Sequence, residues 1–313
     1  MSDAASLAGL SDTLFTLTIL VYSVATLAFA AELAFSHRAS AKALVAPDGS
    51  VVSDQGAPSS SRIGQVAIAV ALLGTALLGA VLLLRGLAAE RIPLGNMFEL
   101  ATAVAFVGVV GFLFLALRTP RLRTVGLFVM LPVTLGLVLV GLFLYTESGP
   151  LVAALRSRWL VVHVTTVSIG FGAFLTSGII SVLFLVRSRF EEAGSAVRGM
   201  TSRIGQWLPN SETLDRAAHR MVVFGFPIFT FAVIAGAVWA ESAWGRFWGW
   251  DPKETWAFIA WIVYAAYLHA RATAGWRGGA AAWINVAGLV VMFFNLLYVN
   301  LVTSGLHSYA GIS

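Results

Sequence analysis

The strongest constraint in this sequence is a series of apolar runs, each about 20 residues long, the length a helix needs to cross a hydrocarbon core. They lie near residues 12–34, 64–86, 98–117, 124–145, 159–186, 220–240, 253–271 and 280–303. Lipid offers backbone groups no water to bond with, so runs of this kind fold as helices rather than open sheets. The sequence therefore predicts an all-α chain, a polytopic integral membrane helical bundle of about eight transmembrane helices. Composition agrees: 11% of the residues are charged, against about 25% in soluble domains. The first run, Leu14 to Leu33, has neither a basic segment before it nor a distinct small-residue cleavage site behind it, and reads as a retained span.

Charge sets the expected orientation. With the N-terminus outside, fourteen basic residues fall on inner loops and six on the outer side. The positive-inside rule then places both termini outside. The net charge of +5 is spread over short clusters between apolar runs, with no basic stripe, so membrane lipid and not nucleic acid is the expected partner surface. The inner loop at 35–63 contains APDGSVVSDQGAPSSS, too polar to order itself, and is expected to be flexible. The chain divides into N-terminal helices with this loop, 1–90, and a core, 91–313. No cysteine occurs, so a disulfide, thiolate metal site or thiol nucleophile within the chain is excluded.

The tryptophan-rich stretch 239–256 falls on the outer side, between the sixth and seventh spans. Asp251, Pro252 and Glu254 fit an N-cap, a first-turn proline and a capping-box acid, so a helix is expected to start at Pro252. Asp251 reads as a cap rather than a catalyst. Tryptophans at a membrane boundary are usually belt residues. Trp239, Trp244, Trp248, Trp250 and Trp256, interleaved with glycines and with Arg246 and Lys253, form a denser group than a belt requires. A flat, polarizable, basic-rimmed surface of this kind suits a large planar anionic ligand.

Topology sorts the histidines. His163, just inside the outer end of the fifth span, and His307, after the last span, share a side with the tryptophans. Singly, His163 reads as a helix residue bonded to a backbone carbonyl and His307 as a solvated tail residue. Together at one depth beside an aromatic platform they suggest axial imidazoles for a haem iron. The residues alone leave both readings open. His269 lies about 26 Å along its helix from Pro252, near the inner boundary. An intramembrane histidine is a functional candidate, yet no second histidine sits within a span at its depth. His37 and His219 read as inner-interface residues.

WAESAWGRFWGWDPKETWAFIAWIVYAAYLHAR (239–271), followed by GLHSYA, closely resembles the haem-handling membrane proteins with the WWD signature, in particular the CcsA or ResC subunit (CcsB in some lineages) of the System II cytochrome c synthase. The likeness continues at SRWLVVHV and, more weakly, at IPLGNMFEL (92–100); the first 90 residues carry little of it. The resemblance implies that His163 and His307 ligate haem at the WWD loop, with Trp239, Trp244, Trp248, Trp250, Asp251, Trp256, Arg246 and Lys253 in the surrounding haem-binding set. It implies that His269 belongs to an inner haem site whose other ligand comes from a CcsB/ResB-type partner.

The function so implied is that of a holocytochrome c synthase (cytochrome c haem lyase) subunit, active only with its partner. It would present haem b for thioether attachment to the Cys-x-x-Cys-His of an apocytochrome c kept reduced by a thioredoxin-like reductant. Two other readings stay open, a haem exporter without ligation activity and a membrane cytochrome b-like electron carrier. The second wants paired histidines within the bilayer, and only His269 comes near that.

Overall fold

A computed structural model describes residues 2–43, 62–149, 157–193, 200–273 and 275–307. Most of the loop expected to be flexible, 44–61, lies outside the described residues, as does the side chain of His37.

The described residues form helices α1 (Ser2–Ala43), α2 (Arg62–Ala88), α3 (Met97–Arg118), α4 (Gly126–Phe143), α5 (Arg158–Ala193), α6 (Met200–Trp207), α7 (Ser211–Trp244), α8 (Pro252–Thr273), α9 (Gly279–Leu296) and α10 (Tyr298–Leu301), with a 3₁₀ turn at Pro120–Val125 and no strand. Among them eight are at least 18 residues long, and seven are also apolar enough to cross a membrane. The exception is α8, expected as the seventh of eight spans. It has 22 residues, about 33 Å of helix, but its middle is built from Trp256, Trp261, Tyr264, Tyr267 and His269, whose polar edges lower its hydropathy.

The bundle is assembled by small residues that admit close neighbours, as membrane helices without a hydrophobic drive toward one another require. The α5–α7 pair is the most extensive contact in the fold. A Cβ on Gly225 of α7 would meet the Ala173 side chain at 3.0 Å and the Gly170 carbonyl of α5 at 3.3 Å. At one end of the bundle α7 and α8 are tied by a bidentate pair, Arg271 to Asp215, at 2.5 and 2.9 Å. Two buried clusters follow. One joins α1–α5 and the start of α7 around Phe29, Phe98, Phe112 and Met130. The other joins α3, α5, α7, α8 and α9 around Phe174, whose ring stacks on Tyr264 at 3.6 Å. The opposite end of that second cluster opens into a cavity.

Candidate functional site

The start of α3, the start of α5, the end of α7, the start of α8 and the end of α9 converge on a cavity with about 1260 Å³ of empty space, open to its surroundings. Its walls are mainly apolar, with Phe171, Phe229, Ala257 and Met292 among them, and its polar groups are few: Asn96, His163, Lys253, Glu254, Asn295, Asn300 and His307 stand out.

The structure brings His163 and His307 to this one cavity. Their rings surround Trp239, which is 1% exposed. The Trp239 indole lies nearly parallel to His163 at 6.1 Å, with 16° between the planes, and edge-on to His307 at 5.7 Å. Trp244 covers His307 from another side at 5.0 Å.

Hydrogen bonding fixes the tautomer of both imidazoles. His163 Nδ1 lies 2.8 Å from the Ala232 carbonyl oxygen of α7. A carbonyl only accepts, so Nδ1 carries the proton and Nε2 the lone pair. His307 Nδ1 lies 2.8 Å from Asp251 Oδ2. Burial alone would push the Asp251 carboxyl up, but hydrogen bonds from His307 and from the Leu306 and Lys253 N–H groups outweigh it and hold the group down at about 2. Asp251 is therefore a carboxylate at neutral pH, and His307 too has its proton on Nδ1.

Asp251 does this while capping α8, as the sequence indicates. The Lys253 N–H donates to Oδ2 at 3.1 Å, and Glu254 Oε2 accepts from the Asp251 N–H at 3.2 Å and the Gly249 N–H at 2.8 Å. The helix begins at Pro252. Asp251 Oδ1 also accepts from the Leu306 N–H at 2.7 Å. This approach needs Gly305, whose Cβ would stand 2.7 Å from Oδ1.

The tryptophan stretch is a loop over a shorter span than 239–256. Trp239 through Trp244 continue α7, which ends at Gly245 in the left-handed conformation, and only 245–251 is loop. Of the five tryptophans, Trp239 and Trp248 line the cavity, together with Phe247. Trp244 packs behind His307. Trp250 is 65% exposed with a positive φ of 58°, and Trp256 packs on Phe294 of α9 at 4.2 Å; neither lines the cavity. Of the two cations, Lys253 reaches the cavity, where Nζ donates to the Asn295 carbonyl at 3.0 Å. Arg246 folds over Gly249, with Nη1 at 3.8 Å from Glu254 Oε2, and does not line it. His269 is exposed on α8, away from the cavity. His219 lies beside Tyr267, 5.9 Å between rings.

Other residues of the site carry no motif of their own. The wall at Leu94–Met97 is held by Glu99, fully buried, which accepts from the Gly95 N–H at 2.8 Å and pairs with Arg91 at 2.7 Å and Arg85 at 3.4 Å. Arg85 also meets Asp12 of α1 at 3.2 Å and donates to the Thr146 carbonyl. The signal available was local: Asn96 caps α3 by accepting from the Glu99 N–H at 2.9 Å, an Asn-x-x-Glu start of the kind seen at Asp251. Asn295 Oδ1 is buried with no hydrogen-bond partner among the described residues.

Among the described residues no three His, Cys, Asp or Glu side chains gather as for a bare metal ion. Two imidazoles are one axial pair a porphyrin iron accepts from a protein, since the macrocycle supplies the remaining ligands. Fold and site thus define a polytopic helical membrane protein with a histidine-flanked aromatic cavity at one end. The chain belongs to the cytochrome c assembly protein family, whose model, described as "Cytochrome C assembly protein", matches residues 94–307. It is 37% identical over 291 residues to the cytochrome c biogenesis protein CcsA of Microcystis aeruginosa, covering 79% of this chain and 87% of the relative. CcsA of Synechococcus elongatus is 37% identical over 288 residues, with the same coverage, and CcsA of a Synechocystis species 34% over 305 residues, covering 82% and 88%. This is a CcsA-type subunit of cytochrome c biogenesis.

Proposed function

We propose that this chain receives haem b, holds it in the cavity beside Trp239 and presents it on the outer face for thioether attachment to an apocytochrome c. The observation that carries the proposal is that His163 and His307, distant in sequence, line one cavity, each with its Nδ1–H given to an acceptor. The donor set fits this cargo. Two imidazoles suit the iron, Trp239, Trp248 and the apolar walls suit the macrocycle, and Lys253 with Asn295 and Asn300 suits its carboxylates.

Within this reading the chain's residues orient. His163 and His307 fix the position of the iron, and Trp248 and Phe247 border the mouth where a Cys-x-x-Cys-His segment would arrive. Each thiol adds across a vinyl double bond, sulfur to one carbon and the proton to the other, so no oxidant or reductant is consumed. The thiols must come reduced, which calls for a thioredoxin-like reductant. The rate gain comes mainly from proximity, for which fixing two reactants is worth about 7–11 kcal/mol. His269, exposed on α8, completes an inner haem site only with an imidazole from outside the chain, for which a CcsB/ResB-type membrane partner is proposed.

The test is the absorption spectrum of the purified membrane complex. His163→Ala and His307→Ala are each expected to lower haem occupancy and shift its bands, with partial rescue by added imidazole. Unchanged spectra in both variants would overturn the ligand assignment. Purified complex with a reduced apocytochrome should yield covalent product; free haem alone would mean export without ligation, and haem that cycles in place without transfer would mean an electron carrier.

A further inference from the structure

We infer that Gly236 of α7 is a positioning residue for His163: the missing side chain at 236 is the seat of the imidazole, and it fixes which ring nitrogen bears the lone pair. The inference rests on the reading of His163 as an iron ligand.

Three contacts define the seat. A Cβ on Gly236 would stand 2.7 Å from both Cε1 and Nδ1 of His163, closer than real Cβ atoms come to their neighbours. One turn earlier in α7, the Ala232 carbonyl takes the His163 Nδ1 proton at 2.8 Å. In a regular helix that carbonyl also accepts from the N–H of residue 236, so ring and helix share one acceptor at the place where the glycine leaves room. Beyond the seat, Trp239 stacks on the same ring. The imidazole is thereby held against the α7 backbone at Gly236 with Trp239 alongside.

Glycine is a poor helix former, so its place within α7 calls for a packing reason, and the reason here differs from that at Gly225. At Gly225 the atoms that a Cβ would meet belong to the α5 backbone and to the Ala173 and Phe174 side chains. Gly225 serves helix packing, whereas at Gly236 the nearest atoms are the imidazole's own. A methyl at 236 must move the ring, and moving the ring breaks the bond to Ala232 that sets the tautomer.

The experiment uses the full chain, co-purified with its membrane partner, and reads the haem absorption spectrum and midpoint potential of wild type, Gly236→Ala, His163→Gly and the double variant, with Gly225→Ala as the packing control. Gly236→Ala is expected to shift bands and potential toward those of His163→Gly. In the His163→Gly background, where no ring is left to displace, Gly236→Ala should change nothing further, but added imidazole should restore His163→Gly more fully than the double variant, whose methyl stands where the ring would sit. Gly225→Ala should lower recovery of the complex but leave the spectrum of what is recovered unchanged. A wild-type spectrum in Gly236→Ala beside an altered one in His163→Gly would overturn the seat while sparing the ligand. Equal loss of recovery from Gly236→Ala in both backgrounds would reduce the glycine to a packing role. An unchanged spectrum in His163→Gly would refute the ligand reading itself, and the seat with it.

Discussion

At the scale of single residues, Asp251 is where the loop, the α8 cap and His307 meet, so its substitution tests all of them. An aspartate carboxylate can accept from the Lys253 and Leu306 N–H groups and from His307 Nδ1 at once. An asparagine has one oxygen for the three donors. Asp251→Asn should therefore release His307 from its tautomer and alter the haem spectrum as His307→Ala does, though more mildly. The pH dependence follows from sign. The carboxyl titrates at about 2 rather than its ordinary 3.8, so what the carboxylate contributes is fully present above 3.8 and is lost as pH falls through about 2. A spectral titration between about pH 8 and 4 should show no step that disappears in Asp251→Asn; finding one would contradict the assignment. The residues of this site differ in how far the sequence announces them. Asp251, Pro252 and Glu254 are legible because cap chemistry is local, and His163 and His307 because shared depth and the tryptophans between them in the chain single them out. Gly236, Ala232 and the Lys253–Asn295 contact are not legible, since each matters only through a partner that bundle packing brings to it from tens of positions away.

Among the elements, the eight long helices follow from apolar length, and α8 shows what length alone misses. Its aromatic and titratable middle is poor in hydropathy because indole, phenol and imidazole side chains carry polar edges. The start of α3 was faint in sequence for a related reason: Glu99 lies inside an apolar run and has meaning only with Arg85 and Arg91 around it. Arg85 is 1% and Glu99 0% exposed, and removing one partner of such a buried pair costs about 3–5 kcal/mol. Glu99→Ala should lower the thermal midpoint in detergent accordingly. It should also weaken haem retention, because the Gly95 N–H and Arg91 that fix the Leu94–Met97 wall lose their acceptor. Asp12→Ala removes a carboxylate that is 38% exposed, for which solvent and salt screening leave less than about 1 kcal/mol. A melt in which Asp12→Ala costs as much as Glu99→Ala would place the weight of the cluster on α1 instead of on the α3 wall.

For the molecule as a whole, the bundle would be the same folded object whichever way it crossed the membrane; what orientation decides is the compartment into which the cavity opens. The ends of the helices are unambiguous in this respect. Loop 245–251, His307 and residues 144–149 after α4 lie at the end where α4 and α7 finish. The 3₁₀ turn with Arg121 and Arg123 lies at the end where α3 finishes and α4 starts. In the proposed orientation the positive-inside rule sends that basic turn to the cytoplasm, and the cavity then faces outside, as the proposed attachment step requires. Because the chain has no cysteine, single introduced thiols report sidedness without background. Glu147→Cys, at the cavity end and exposed, should react with a membrane-impermeant maleimide on intact cells. Arg121→Cys, exposed at the other end, should react only after the membrane is opened. The reverse pattern would leave the two-imidazole cavity intact but facing the cytoplasm. A haem held there could not meet an exported apocytochrome, and the proposed attachment step would fail for reasons of compartment rather than of chemistry.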